Sequence, residues 1–232
     1  MSVRLSYAVL LYNERETFTK LVEQLYRHPH SFEIRVVLDG GDPEMRTLLE
    51  SYAKTHSNFY FYERALNKNF SAQRNFIGAQ CQGQYIVRLD ADELMPVYFL
   101  ENSDEILDMF DRKQIDVVRM PRINDVGLSI SDEVKKRERI EVNDRGWANF
   151  PDMQTKIYKN TPDMKWIYSV QEHLMGWSEI YDFPPKEQYA IWHHKPAEKL
   201  VHSNSFYRSF KKRYWEKFLK SLKKRLGVKV LK

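Results

Sequence analysis

Cysteine is nearly missing from this chain of 232 residues. Its one thiol, Cys81, cannot close an internal disulfide and has no second cysteine with which to build a zinc knuckle, so a bound metal has to use Asp, Glu or His. Long apolar runs are missing as well. Near the N-terminus the longest, Tyr7 to Tyr12, falls far short of the roughly 18–20 residues of a membrane-spanning helix. The opening MSVRLSYAVLLYNERE also lacks the apolar length and small-residue cleavage site of a secretory signal, and a cytoplasmic location is the expectation.

What is present describes a folded protein. A 42% hydrophobic and 14% aromatic composition with 30% charged residues argues against disorder, low complexity and collagen-like repeats. A chain of this length encloses one substantial core, giving one domain with appendages. The net charge of +5 hides an asymmetry: residues 195–232 hold 13 Lys and Arg against Glu198 and Glu216, a local +11, so the preceding 194 residues carry −6. A mildly acidic body with a strongly basic tail points to an anionic surface, membrane or nucleic acid, as a partner of the tail.

Short apolar or aromatic runs alternate with amphipathic stretches of helical length, the pattern of βαβ units and a mainly parallel, doubly wound α/β sheet. Strands are predicted at Val3 to Tyr12, Glu33 to Asp39, Asn58 to Arg64 and Tyr85 to Asp90. Helices are predicted at Glu16 to His28, from Pro43 onward, and at Ser71 to Cys81 with Ser71 as the cap. A further helix is expected over Val97 to Arg112 and a strand over Asp116 to Ile123. Residues 124–150 are polar with few large apolar side chains and read as an excursion or mobile loop. Strands resume at Gln154 to Lys159 and Tyr189 to His193, while KWIYSVQEHLMGW between them fits a helix or an extended segment.

The segment YIVRLDADELMP runs an apolar strand directly into Asp90-Ala91-Asp92-Glu93. Carboxylates at the carboxyl end of a parallel strand stand where open α/β sheets bind ligands. Two Asp in Asp-x-Asp spacing can face one hard divalent cation, Mn²⁺ or Mg²⁺, that keeps positions free for a diphosphate; taken alone, the same tripeptide more often describes a solvated turn. Asn13 and Glu14 follow the first strand, Asp39 ends the second, and Arg74-Asn75 lie in the helix before the fourth, so four polar clusters belong to strand ends or adjoining helices.

In order and spacing these segments, LLYNE (Leu10 to Glu14), VVLDGG (Val36 to Gly41) and NKNFSAQRNFIGAQCQGQYIVRLDADE (Asn67 to Glu93), resemble the family 2 glycosyltransferases of the GT-A fold. The second half resembles the subgroup that includes lipopolysaccharide-core β-glucosyltransferases, through PDMQTKIYKN, WIYSVQEHL and YAIWHHKP. The resemblance implies a metal-dependent, inverting transfer of a sugar from a nucleotide-sugar donor, a UDP-sugar being favoured, to a glycan or glycolipid acceptor. It implies that Asn13, Glu14 and Asp39 contact the nucleoside, that Arg74 orders the nucleotide pocket with Asp90, and that Asp92 is the principal metal ligand. Where the family often has two acidic residues after the second strand, this chain has Leu38 and Asp39. For the base that deprotonates the acceptor, Glu172 is the first choice and His173 the second; Gln171 stands where the subgroup has His. Of His193 and His194, the resemblance implies that one completes the metal sphere, with His194 preferred and a packed core histidine as the alternative. Asp152 fits acceptor binding or simple capping.

Trp147, Trp166, Trp177 and Trp192 can stack on sugar rings or fill core. The run Glu133 to Arg139 fits a solvated face or a cover for the diphosphate. In the tail, Phe206, Tyr207, Phe210, Tyr214, Phe218 and Leu222 recur at three- and four-residue intervals with Lys and Arg largely elsewhere, the plan of a basic amphipathic helix lying on anionic lipid or packing on the domain. The expected organisation is a nucleotide-sugar-binding half over residues 1–123, an acceptor-binding and catalytic half over 124–200, and a basic tail over 201–232. Two rival functions fit the same residues: glycosylation of modified bases in DNA, with the tail tracking phosphates, and a non-catalytic nucleotide- or nucleic-acid-binding module.

Overall fold

A computed structural model describes residues 3–194 apart from Pro29 and Ser129; the predicted tail helix lies outside the described residues. The first half follows the βα pattern: β1 (Leu5–Leu11), α1 (Arg15–Arg27), β2 (Phe32–Leu38), α2 (Pro43–Thr55), β3 (Phe59–Glu63), α3 (Phe70–Gly78) and β4 (Tyr85–Asp90). Its strands lie side by side in the order β3-β2-β1-β4, every pair parallel. β2 is buried at every position and β1 at all but one, which is why both read as nearly continuous apolar runs. α1 buries Phe18, Leu21, Val22 and Leu25 at helical spacing. α2 starts at Pro43 behind Asp42, whose carboxylate accepts the Met45 N–H at 2.7 Å.

Helix α3 begins one residue earlier than predicted, and its cap is Asn69 rather than Ser71: Asn69 Oδ1 accepts the Ala72 N–H at 3.0 Å. Ser71 instead donates its hydroxyl to the Tyr168 carbonyl, pinning the helix to a segment far along the chain.

The second half comprises β5 (Glu93–Leu94), α4 (Val97–Glu101), α5 (Ser103–Arg112), β6 (Val117–Asp125), α6 (Asp132–Glu138), β7 (Trp147–Lys159), β8 (Lys165–Ile167), β9 (His173–Met175), β10 (Ile180–Asp182) and β11 (Ile191–His194). β7 joins the two halves, antiparallel both to β4 and to β6. Beyond it β11 and β10 run parallel to β6, and β5 pairs antiparallel with β11. The sheet is therefore parallel through its first four strands and mixed beyond them.

Three expectations change here. The single helix over Val97 to Arg112 is broken at Asn102, whose side-chain amide donates to the Tyr98 carbonyl at 2.8 Å and so shares the acceptor of its own backbone N–H, a side-chain bond that competes with regular helix continuation. Residues 124–150 are not a featureless loop: α6, capped by Ser131, closes a small core of Val126, Ile130, Ile140 and Ala148, and β7 already begins at Trp147. The aromatic segment 165–177 is extended, an antiparallel β8–β9 pair with Trp166 buried against Tyr158. Gly176 closes that pair with a φ of +93°, and a Cβ there would stand 2.1 Å from the Asp163 carbonyl oxygen.

Side chains alternate along β4. Val87 and Leu89 enter the main core with α1, α2 and α5, whereas Ile86 joins Ile77, Tyr158, Trp166 and Leu174 on the opposite face under α3 and β8–β9. Arg88 and Asp90 share the phase of Ile86.

Candidate active site

Register brings the predicted strand ends to one edge. Leu10 pairs with Asp90 and Leu11 with Leu38, so Tyr12–Glu14, Asp39–Gly41 and Asp90–Glu93 all leave the sheet at the same level. Gly40 and Gly41 turn the chain there, at φ +74° and +75°. Asp39 accepts the Leu66 N–H at 2.8 Å and ties the end of β2 to the approach to α3. Asn13 Oδ1 accepts the Asp42 N–H at 3.2 Å. The Glu14 carboxylate folds back on the Tyr12 and Asn13 N–H groups, at 3.0 and 3.1 Å.

Arg74 stands at the centre. Its Nη2 donates to Asp90 Oδ1 at 3.1 Å and its Nε to Glu172 Oε1 at 2.9 Å, with the Arg74 side chain 7% exposed. A residue of α3 thus gathers the end of β4 and the loop before β9. Burial alone would raise the pKa of Asp90, but Arg74, Arg88, Lys156 and Arg122 hold it well below the usual carboxylate range. His173 lies elsewhere, exposed and edge-on to Tyr168.

Glu93 turns inward rather than toward the edge. Fully buried, it accepts Lys156 Nζ at 2.6 and 2.5 Å, Arg122 Nη1 at 3.1 Å and the Asp90 N–H at 3.0 Å. It therefore clamps the turn that carries the two aspartates. Burial pushes the pKa of Lys156 down to about 8 in spite of Glu93, while Lys156 and Arg122 outweigh burial at Glu93 and hold its carboxyl below its ordinary value.

From Arg122 the network continues outward. Arg122 Nε and Nη2 donate to Asp152 at 3.0 and 2.7 Å, and the Asn124 amide to the same carboxylate at 2.9 Å. Although burial opposes its ionisation, Asp152 is held low by Arg122, Asn124 and Gln154. Because the Asn124 amide nitrogen is spent on Asp152, its Oδ1 accepts from His193 Nδ1 at 2.8 Å. With Nδ1 donating to Asn124, His193 turns its Nε2 toward the Asp92 carboxylate, 3.4 Å away, a contact that a proton on Nε2 or a metal ion would bridge. His194 points away, pairing with Asp125 at 3.3 Å with a 70% exposed side chain.

Among the described residues no three His, Cys, Asp or Glu side chains form a ready-made metal cage. Asp92 with His193 offers one carboxylate and one imidazole, a donor set that fits a divalent ion retaining water and diphosphate oxygens.

The structure brings Asp90, Arg74 and Glu172, all expected at the site from the sequence, into contact, and adds Arg88, Glu93, Arg122, Asn124 and Lys156, which the sequence did not single out, to the same cluster. The signal was a charged residue inside a strand that otherwise reads as buried: Arg88 in YIVRLD, Lys156 in QTKIYK. Of the tryptophans, Trp147 packs edge-on against Phe150 and Trp192, Trp166 is buried, and Trp177 is 43% exposed.

Residues 6–162 match the model of glycosyl transferase family 2, and the chain belongs to that family. Minor teichoic acid biosynthesis protein GgaB of Bacillus subtilis (strain 168) is 28% identical over an alignment of 116 residues that covers 48% of this chain and 13% of GgaB. The structure of S. aureus TarS 1-349 in complex with UDP superposes with a TM-score of 0.59 at 16% identity, over 86% of this chain and 63% of that one. The mannosyltransferase PcManGT from Pyrobaculum calidifontis, in complex with GDP-Man and Mn²⁺, gives 0.55 at 14% identity over 84% and 58%. The chain thus spans less than two thirds of these relatives, and the shared architecture is the GT-A fold, a mixed α/β arrangement around a curled central sheet. Among the described residues no helix is long and apolar enough to cross a membrane.

Proposed function

We propose that this chain is a metal-dependent, inverting glycosyltransferase that moves a sugar from a UDP-sugar to a glycan or glycolipid acceptor. The observation that carries the reading is the join of Asp90, Arg74 and Glu172 at the carboxyl edge of the parallel strands, beside the Asp92–His193 pair, in a member of glycosyl transferase family 2.

Asn13, Glu14 and Asp39 line the edge where a nucleoside would lie, and Arg74 fixes Asp90 beside it. Asp92 and His193, in place of the sequence-preferred His194, would hold Mn²⁺ or Mg²⁺. The ion would supply charge stabilisation to the departing diphosphate. Glu172, held by Arg74, takes the proton from the attacking acceptor hydroxyl, which adds to the anomeric carbon as the bond to the nucleoside diphosphate breaks. His173, turned toward Tyr168, is less well placed for that role. On this assignment residues 1–123 are the nucleotide-sugar-binding half and 124–200 the acceptor-binding and catalytic half, which contributes Glu172 and His193.

The GgaB and TarS likenesses and the sequence resemblance to lipopolysaccharide-core glucosyltransferases favour a cell-envelope glycan as acceptor, reached from the cytoplasmic face with the basic tail on anionic lipid. A donor screen tests the core of the proposal: incubation with Mn²⁺ and a panel of UDP-, GDP-, CMP- and dTDP-sugars, reading the nucleotide freed. Release from the UDP-sugars supports it, and no release from any donor overturns it.

A further inference from the structure

Arg88 is 8% exposed, and its Nε has no hydrogen-bond partner. Every carboxylate of the surrounding cluster is engaged by another cation: Asp90 and Glu172 by Arg74, Glu93 by Lys156 and Arg122, Asp152 by Arg122. Among the described residues none forms an ion pair with Arg88. Its guanidinium lies 5.3 Å from the centre of the Trp166 ring, and that of Arg74 5.8 Å from the same ring. Arg74 Nη1 is likewise buried without a hydrogen-bond acceptor, whereas the Trp166 indole has the Tyr158 side chain beside it. Two guanidinium N–H groups, from α3 and β4, therefore lie beside one indole with no acceptor among the described residues.

Burial and Arg74 oppose the Arg88 charge; Asp90, Glu93 and Glu172 favour it at longer range, but none of the three is hydrogen-bonded to it. A buried cation with no ion-pair partner is costly, and a water molecule accepts a hydrogen bond but brings no charge. Ile86 and Ile77 belong to the buried apolar cluster on this face of the sheet, where an aliphatic side chain would also fit. The guanidinium fork, by contrast, matches the oxygens of a phosphate or carboxylate. Arg88 shares its strand face with Asp90, one step deeper, so a group bound to it would lie next to Glu172 and Arg74.

We infer that Arg88, together with Arg74 Nη1, is an oxyanion-recognition site that receives a phosphate or carboxylate group of a substrate. The inference rests on the proposed glycosyl transfer for the word substrate, and on the unpaired guanidinium for the anion. Two sources share this chemistry, the diphosphate of the donor and an anionic group on the acceptor.

Calorimetric titration of inorganic phosphate into wild type, Arg88→Gln and Arg88→Lys tests it, with UDP and uridine as companion ligands and thermal melts of each variant. The expected result is phosphate binding by wild type that falls at least about tenfold in Arg88→Gln and less in Arg88→Lys, which keeps the charge but loses the fork. The Arg88→Gln protein should melt at or above the wild-type temperature, because at Arg88 burial and the neighbouring Arg74 outweigh the nearby carboxylates. If UDP excludes phosphate, and the advantage of UDP over uridine shrinks in Arg88→Gln, the donor diphosphate is the source. If phosphate still binds with UDP saturating, the acceptor is. No phosphate binding by wild type at millimolar concentration, equal binding by Arg88→Gln, or a melt of Arg88→Gln well below wild type overturns the inference. A failed donor screen with Arg88-dependent phosphate binding intact would overturn the glycosyl-transfer reading and leave the anion site standing.

Discussion

Arg74 donates from Nε to Glu172 at 2.9 Å across 98 residues of sequence. The same guanidinium reaches Asp90 at 3.1 Å, so the aspartate proposed to face the donor and the proposed base share one buried partner. Glu172 follows Gln171, which is held at φ +57°, and this left-handed turn ahead of β9 directs the loop to α3. Substitutions at the hairpin therefore test the chemistry at the strand edge.

Glu172→Gln should lower the rate of transfer by ~10² or more with donor affinity little changed, the range for a lost general base. His173→Ala serves as the comparison, since that ring faces Tyr168. Steady-state rates and nucleotide binding for both variants decide it. A larger loss in the histidine variant would exchange the two roles.

Asp92→Asn should abolish metal-dependent turnover and leave the fold intact, because the substitution keeps the side-chain shape and the fully buried Glu93 retains its ion pairs with Lys156 and Arg122. His193→Ala should weaken Mn²⁺ binding, whereas His194→Ala, whose partner is Asp125, should not. Calorimetry with Mn²⁺ and turnover with and without EDTA are the measurements. Wild-type turnover undiminished by EDTA would remove the metal from the mechanism.

Much of this was legible in the chain itself, for identifiable reasons. β1, β2 and β4 announce themselves because strands buried on both faces need unbroken apolar residues, and the carboxyl ends of such strands are where polar residues must appear. The join of Arg74 to Asp90 follows from neighbouring βα units. Long-range relationships were opaque: nothing local tells that Asn124 spends its amide on Asp152 and so aims His193 rather than His194 at Asp92. The order in residues 124–150 was hidden because its four core residues are too dispersed to show a period until α6 folds over them. Asn102 and Asn69 show the third kind of miss, where a side chain's competition for backbone groups moves a helix boundary.

Removing residues 203–232 should preserve sugar-nucleotide hydrolysis, because every site residue assigned above precedes that point. It should weaken sedimentation with phosphatidylglycerol vesicles at low salt, since each Lys or Arg near an anionic surface contributes about 1 kcal/mol and salt screens it. Equal sedimentation of full-length and shortened protein at low salt would eliminate lipid as the partner of the basic segment.

Acid should unfold the protein through the buried network. Asp90, Glu93 and Asp152 are all held below their ordinary values, each against the opposing pull of burial, by Arg74, Lys156 and Arg122 among others. Between such a lowered folded value and the unfolded reference, 3.8 for Asp and 4.5 for Glu, the unfolded chain binds more protons, so stability rises with pH across that window. The contribution is complete above the unfolded values and is lost as pH falls through the folded ones. Arg122→Gln removes the cation that serves both Glu93 and Asp152, 3.1 and 2.7 Å away. It should cost about 3 kcal/mol at neutral pH, the scale for stripping one partner from a buried pair, and shift the acid midpoint toward neutrality. Lys156 still neutralises Glu93 in that variant, so the larger change belongs to Asp152. Urea unfolding at neutral pH and a circular-dichroism acid titration of both proteins provide the comparison. Superimposable acid transitions would show that Arg122 does not hold the carboxylates in their ionised form.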